Sequence, residues 1–352
     1  MQSFLALSRS KPGAVTYRTF VLGRHTKVTI HTAGVIEFTP LRDLDRFTSA
    51  TPGAKSLLYS CGVHGNETAP IEICDALVEA ILSETIQVQH RLMVQFANLP
   101  AMDIAQRFVD ENMNRLFSGA HQRSELKSVE APRAAELEVY TKDFFERGPA
   151  HFSRYHYDLH TAIRDSQHTR FAVYPYLHGQ PYDQEQMLWL ADAGVTALLL
   201  SSGPTTTYSY YSANSCGAHA FTVELGKVKP FGQNNMDDFE QARLWLFALV
   251  SQVHYKAKSD TVPTLFQIHQ SITRQETDFK LHFADDTPNF TAFDKDTVLA
   301  SEYDKTGQCI NEYRATEDGE AIVFPNAHVA LGQRALLTVT PLMLSEIPVK
   351  EV

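Results

Sequence analysis

Gly62-Val63-His64-Gly65-Asn66-Glu67-Thr68-Ala69-Pro70 is the stretch around which the rest of the chain can be ordered. The apolar run Leu57-Leu58-Tyr59 just before it reads as a buried strand. After it, Pro70 suits a first helical turn, where its missing N–H costs nothing. Ile71, Cys74, Leu77, Val78, Ile81 and Leu82 then keep a helical apolar stripe. The stretch is therefore a strand-to-helix turn, in which Gly62 and Gly65 let the backbone bend and leave space beside the side chains. His64 and Glu67, three residues apart, can converge on one point there. One histidine and one glutamate are two of the three protein ligands that a hydrolytic zinc takes in its His₂Glu form. His-x-x-Glu alone is a weak pattern. Its place at the C-terminal end of a strand, where open sheets put their ligands, is what singles this one out.

Working outward, residues 13–40 alternate between apolar and polar and carry turn residues, so they read as short strands or hairpins. Thr51-Pro52-Gly53 is a turn leading into the first core strand. Leu92–Phe96, Tyr157–His160, Phe171–Tyr174, Ala197–Leu200 and Phe221–Leu225 are further strands. Helices are expected over residues 132–147, 185–193 and 238–254. Strands alternating with helices argue for an α/β sheet, at least partly parallel. Residues 101–131 have no clear period and read as a long loop carrying side chains to a site. From residue 263 onward only strand-like runs remain, at Leu265–Ile272, Phe279–Phe283, Ala321–Phe324 and Leu336–Val339. The expected organisation is an α/β catalytic domain over residues 1–257 and a smaller all-β domain over 258–352.

The 352 residues carry 43% hydrophobic and 20% charged side chains, an ordinary globular balance that can bury a large core. A formal charge of −10 argues against a general nucleic-acid surface but not against a local arginine cluster for an acidic small molecule. Cys61, Cys74, Cys216 and Cys309 are too sparse for a disulfide framework. Cys61, next to the turn, reads as a packed strand residue. Phe4–Leu7 is too short for the apolar region of a signal peptide, and no stretch approaches the ~20 apolar residues of a membrane helix. The expectation is a cytoplasmic protein without nucleic-acid or membrane partners. A homo-oligomer is compatible with the sequence.

His160 ends a strand, as His64 does, and supplies the third zinc ligand. Asp158, two residues earlier on the same strand face, could fix its tautomer. With 15 histidines in the chain, most are ordinary packed or surface residues. These two stand apart because each lies at a strand end with a carboxylate nearby. Glu224 is a lone charge in the apolar strand Thr222–Leu225, which is expensive to bury unless paired or functional. It is either a glutamate at the solvent edge or a general base for water. Arg107, Arg115 and Arg164 flank these positions and are either solvated or partners for substrate carboxylates and a developing oxyanion. Position alone assigns Arg164 to a substrate carboxylate. Tyr208, Tyr210 and Tyr211 read as packing.

These motifs together resemble the succinylglutamate desuccinylase and aspartoacylase family, whose fold is like that of the zinc carboxypeptidases. The resemblance is carried by Gly62–Pro70, by Asn112-Met113-Asn114-Arg115, by Asp158-Leu159-His160-Thr161-Ala162-Ile163-Arg164, by Val223–Lys227 and by Pro230–Asn234. Phe324-Pro325-Asn326 and Ala330-Leu331-Gly332 extend it into the C-terminal region, and Asp158–Arg164 points to the desuccinylase branch. The resemblance implies a zinc-carboxypeptidase-like mixed sheet flanked by helices. It implies one zinc per chain, held by His64, Glu67 and His160, with Glu224 as general base. Arg107 would polarise the scissile carbonyl, and Asn114 and Arg115 would contact substrate carboxylates. Where the family has an aspartate before the Met-Asn-Arg run, this chain has Asn112, and Asp110 is expected to take over its charge. The implied reaction is hydrolysis of N-succinyl-L-glutamate to succinate and glutamate, the last step of arginine catabolism through succinylated intermediates. Two alternatives are a related deacylase acting on another N-acyl amino acid, such as N-acetylaspartate, and a metal-free binding protein that keeps the fold.

Overall fold

The computed structural model describes residues 2–41, 54–123 and 128–350. The expected turn Thr51-Pro52-Gly53 lies outside them. Residues 13–40 form an antiparallel meander of β1 (Arg18–Leu22), β2 (Thr26–Thr32) and β3 (Val35–Pro40). The run Phe4–Leu7 lies in a short helix, α1 (Phe4–Ser10), with Phe4 and Leu5 buried. The central part runs β4 (Lys55–Cys61), α2 (Thr68–Leu82), β5 (Arg91–Phe96), α3 (Leu99–Asp103), α4 (Glu130–Glu146), β6 (Ser153–Ala162) and β7 (Phe171–Tyr174). It continues through β8 (Tyr182–Asp183), α5 (Gln184–Asp192), β9 (Ala197–Leu200), α6 (Tyr208–Cys216), β10 (His219–Lys227) and α7 (Glu240–Ser251). The helix expected over 238–254 is shorter, because its start is a 3₁₀ turn at Met236–Phe239. The tyrosine cluster lies in α6, where Tyr208 stacks on Phe117 with ring centroids 4.0 Å apart.

Strands β4 and β5 are buried along their whole length and pair in parallel, which is why they read as continuous apolar runs. Alternate residues serve opposite faces. Leu57, Tyr59 and Cys61 pack under α1, α2, α5 and α7, whereas Leu58 and Met93 pack under α4 and α6. Beyond residue 263 follow β11 (Thr264–Thr273), β12 (Asp278–Leu281), β13 (Thr291–Phe293), β14 (Val298–Tyr303), β15 (Cys309–Arg314), β16 (Glu320–Val323), β17 (Arg334–Leu342) and β18 (Val349–Lys350). Of these C-terminal strands, β11, β17, β16 and β13 are hydrogen-bonded into the central sheet. β11 runs parallel to β9, so a sheet of 13 strands has the order β1-β2-β3-β5-β4-β6-β10-β7-β9-β11-β17-β16-β13. Strands β12, β14 and β15 form a second sheet.

One buried ion cluster ties the meander to the centre of this sheet. The Glu37 carboxylate on β3 accepts hydrogen bonds from Arg91 on β5 (3.0 Å) and from Arg147 just after α4 (2.9 Å), and lies 3.0 Å from His31 Nε2. Burial alone would raise its pKa. The hydrogen bonds from His31 and Arg147 and the charges of Arg91 and Arg147 outweigh burial and hold it at about 2, against the usual 4.5. A depressed folded-state pKa contributes stability that is present above pH 4.5 and is lost as pH falls through about 2. Glu37→Gln is expected to destabilise the protein by about 3 kcal/mol at neutral pH. It should also flatten the fall in stability between pH 4.5 and 2. Urea titrations of both proteins across that range check this.

Candidate functional site

The register of the sheet places the chemistry. β6 runs parallel to both β4 and β10, with Cys61 opposite Leu159 and Glu224 opposite His160. The C-terminal ends of β4, β6 and β10 therefore lie side by side. Glu224 is one strand spacing, ~4.8 Å, from His160 and on the same face. The turn after β4 returns His64 and Glu67 to this edge. Gly62 adopts φ +65°, and a Cβ on Gly65 would lie 2.2 Å from the carbonyl carbon of Ala101, so the turn packs directly on the backbone of α3. The Gly65 N–H donates to the carbonyl of Arg107 (3.1 Å), joining the turn to the loop that carries the arginines.

His64 Nδ1 is 2.8 Å from Glu67 Oε1, and His160 Nδ1 is 2.8 Å from Glu67 Oε2. All three side chains are buried, and one ligand atom from each lies within 4.8 Å of the others. Among the described residues this is the one cluster of its kind. The outer nitrogens decide whether it suits a cation. Asn112 Oδ1 accepts from the Asn114 backbone N–H (3.0 Å), which fixes the amide's orientation. His64 Nε2, 2.9 Å from the same oxygen, must then donate. His160 Nε2 faces Asp158 Oδ2 at 2.9 Å and donates to that carboxylate. Both rings thus keep Nδ1 lone pairs aimed at the Glu67 oxygens, a convergence that only a proton or a cation can satisfy. The donor set fits a divalent metal of the zinc class.

The two rings differ in their electrostatics. Burial and the nearby Arg107 hold His64 down at about 4, against the pull of Glu67. Burial also opposes a charge on His160, but Asp158 and Glu67 outweigh it and hold His160 well above the usual histidine range. Behind Asp158 runs a buried chain. Ser60 Oγ donates to Asp158 Oδ1 (2.5 Å) and touches His156 Nε2 (2.8 Å), whose Nδ1 lies 2.6 Å from Ser212 Oγ.

Glu224 is 6% exposed, and its Oε2 has no hydrogen-bond partner. Burial and the charge of Glu67 push its carboxyl up to about 7. It lines a cavity of about 640 Å³ with His64, Glu67 and His160. Arg107, Asn114, Arg115 and Arg164 reach the same cavity. Arg107 donates to Glu67 Oε1 at 2.7 Å and remains one-third exposed. Asn114 Oδ1 accepts from the Tyr208 N–H (3.0 Å), so part of its role is to fix the start of α6. Arg164 donates to the carbonyls of Thr287 (2.9 Å) and Pro325 (3.5 Å), which straps β6 to the C-terminal region.

Residues 109–111 of the segment expected as a long loop are held by a residue that sequence reasoning did not single out. Glu130 is fully buried. Its carboxylate accepts from the backbone N–H groups of Val109 (2.7 Å), Asp110 (3.2 Å) and Glu111 (3.4 Å) and from Asn98 Nδ2 (3.0 Å). Asp110 does not take over the charge that Asn112 lacks. Its carboxylate accepts instead from the Val129 N–H (3.0 Å), while Asn112 itself meets His64. Arg334, on β17, also lines the cavity and was not foreseen either.

Residues 53–250 match the family model for the succinylglutamate desuccinylase/aspartoacylase catalytic domain, and residues 261–342 match the AstE/AspA barrel-sandwich hybrid domain. The chain is 50% identical over 346 residues to a succinylglutamate desuccinylase of Pseudoalteromonas atlantica, covering 97% of this chain and 95% of that one. It is 45% identical to the protein of the same name from Shewanella denitrificans, covering 96% of this chain and 95% of that one. Among solved structures, the succinylglutamate desuccinylase of Vibrio parahaemolyticus superposes with a TM-score of 0.85 at 32% identity, covering 97% of this chain and 96% of that one. The enzyme of the same name from Chromobacterium violaceum superposes at 0.82 with 36% identity, covering 98% and 99%. With the metal-type triangle, the neighbouring glutamate and the arginine-lined cavity in place, the chain belongs to the succinylglutamate desuccinylase/aspartoacylase family.

Proposed function

We propose that the protein is a zinc-dependent amide hydrolase that cleaves N-succinyl-L-glutamate to succinate and L-glutamate. As the family resemblance implies, this is the closing step of arginine catabolism through succinylated intermediates. The observation that carries the reading is Glu224, whose buried, unpartnered carboxylate shares an arginine-lined cavity with the His64–Glu67–His160 triangle. His64, Glu67 and His160 would hold one zinc, which when bound supplies a Lewis acid to the scissile carbonyl and the attacking water.

The residues of the chain do the rest. Glu224 takes a proton from the water as its oxygen adds to the succinyl carbonyl carbon. Arg107 faces the oxygen on which negative charge develops. Glu224 returns the proton to the amide nitrogen, the C–N bond breaks, and the amine of glutamate leaves. The substrate carries three carboxylates, which accounts for arginines gathered in one cleft of a protein whose formal charge is −10.

The test is a panel of N-acyl amino acids assayed for free amine, with metal content measured alongside. The expected result is release of glutamate from N-succinylglutamate in preference to aspartate from N-acetylaspartate, and about one zinc per chain. Activity should be lost to a chelator and restored by zinc. A fully active preparation without a divalent metal would refute the metal assignment. A preference for N-acetylaspartate would refute the substrate.

A further inference from the structure

The arginines of the cleft differ in how their charge is met. Arg107 has the carboxylate of Glu67. Arg164 has two backbone carbonyls, and Asp285 and Asp286 add negative charge nearby. Outside the cleft, the buried Arg91 has Glu37. Arg115 and Arg334 are the exceptions. Among the described residues, neither has a carboxylate within ion-pair reach. Arg115 donates only to the neighbouring Asn114 carbonyl (2.8 Å), and Arg334 rests over the ring of Phe324, 5.8 Å from its centroid. They are far apart in the chain. Arg115 follows the segment held by Glu130, whereas Arg334 opens β17, which the shared sheet brings to the same cavity.

Burial and then the charge of Arg334 push Arg115 down to about 9, and burial pushes Arg334 down to about 10. Two guanidinium groups lining one cavity without a counter-ion are unfavourable unless something anionic enters beside them. Each presents a planar fork that matches a carboxylate.

We propose that Arg334 completes a carboxylate-binding subsite with Arg115, the residue that the family resemblance already places at a substrate carboxylate, so that β17 contributes directly to substrate selection. That the carboxylate belongs to N-succinylglutamate rests on the function proposed above. The subsite itself does not. Arg334 is a specificity residue in this account and takes no part in bond breaking.

The experiment compares Arg334→Ala and Arg334→Met with the wild type, using N-succinylglutamate and three analogues in which one carboxylate at a time is a primary amide. Arg334→Ala is expected to raise KM for the parent compound by about 10–100-fold, the usual worth of a charged hydrogen bond, with kcat little changed. For one of the analogues, the one lacking the carboxylate that Arg334 holds, the substitution should cost nothing further. Equal losses on all three analogues, or no loss on the parent, would overturn the proposal.

Arg334→Met separates binding from folding. It removes an uncompensated charge while keeping an unbranched apolar stem in place of the arginine's methylenes, so its Tm should equal or exceed that of the wild type. A lower Tm with uniform losses is the mark of a structural arginine and would overturn the subsite. Titration with glutarate, a plain dicarboxylate, separates the subsite from the reaction. Binding that depends on Arg334 in a protein that fails to hydrolyse N-succinylglutamate would keep the subsite and refute the function. Hydrolysis with unchanged KM in Arg334→Ala, or glutarate binding indifferent to Arg334, would do the reverse.

Discussion

Glu224→Gln is expected to lower kcat by about 10²–10⁴-fold, the usual contribution of a positioned acid–base group, while fold and zinc content stay near normal. The amide keeps the shape of the carboxylate but cannot accept a proton from water. The site is built so that this is nearly its sole effect. Glu224 Oε2 has no hydrogen-bond partner to lose, and the side chain lies outside the trio whose ligand atoms converge.

As the proposed base, Glu224 also sets the expected sign of the pH dependence. A general base works when ionised, so activity rises with pH through its pKa. Burial and the negative charge of Glu67 push that value up to about 7. A divalent cation beside Glu67 favours the charged form and moves the acidic limb below pH 7. The limb should be present in kcat/KM of the wild type and absent from the residual activity of Glu224→Gln. Glu67→Gln is the contrasting variant. It takes away the anion that both histidines face, so metal affinity itself should fall. Zinc content measured after dialysis distinguishes the two. Loss of zinc from Glu224→Gln with retention in Glu67→Gln would reverse the two roles.

The edge of the sheet that gathers the candidate site was legible because its signals are local. An apolar run, two glycines and an early proline specify strand, turn and helix between Leu57 and Leu82, and His160 and Glu224 stand out as polar ends of apolar strands. What was not legible depends on contacts between distant segments. Glu130 looks like any acidic residue in a first helical turn, yet it is buried against three backbone N–H groups of the preceding loop. Arg334 has no neighbour in sequence that hints at the cleft, and only the parallel pairing of β9 with β11 brings its strand there. Asn112 was read as the loss of a charge. Its carbonyl oxygen nevertheless performs the function a carboxylate would, because orienting His64 needs an acceptor and not a negative charge. The tyrosines of α6 were read correctly as packing, but their helix was missed. Its polar residues Ser209 and Ser212 point into a buried hydrogen-bonded layer and break the apolar period.

Arg107→Ala is expected to lower kcat/KM by about 10²–10³-fold, the range seen when one oxyanion donor is removed. Two accounts of Arg107 must be separated. In one, its guanidinium stabilises the developing oxyanion. In the other, it only orients Glu67, which it meets at 2.7 Å. Geometry favours the first. Glu67 is already held at both oxygens by His64 and His160 and receives the Thr161 backbone N–H at 3.2 Å, so the loss of Arg107 leaves its position defined. Arg107 also keeps a third of its side chain open to the cavity, with donors beyond the one used on Glu67. The variant should therefore retain its zinc and bind succinate and glutamate about as well as the wild type, with the loss falling on kcat. Arg107→Lys should recover part of the rate, because it restores the charge without the fork. If Arg107→Ala instead loses zinc and recovers its full rate when excess zinc is supplied, the arginine serves the ligand and not the oxyanion.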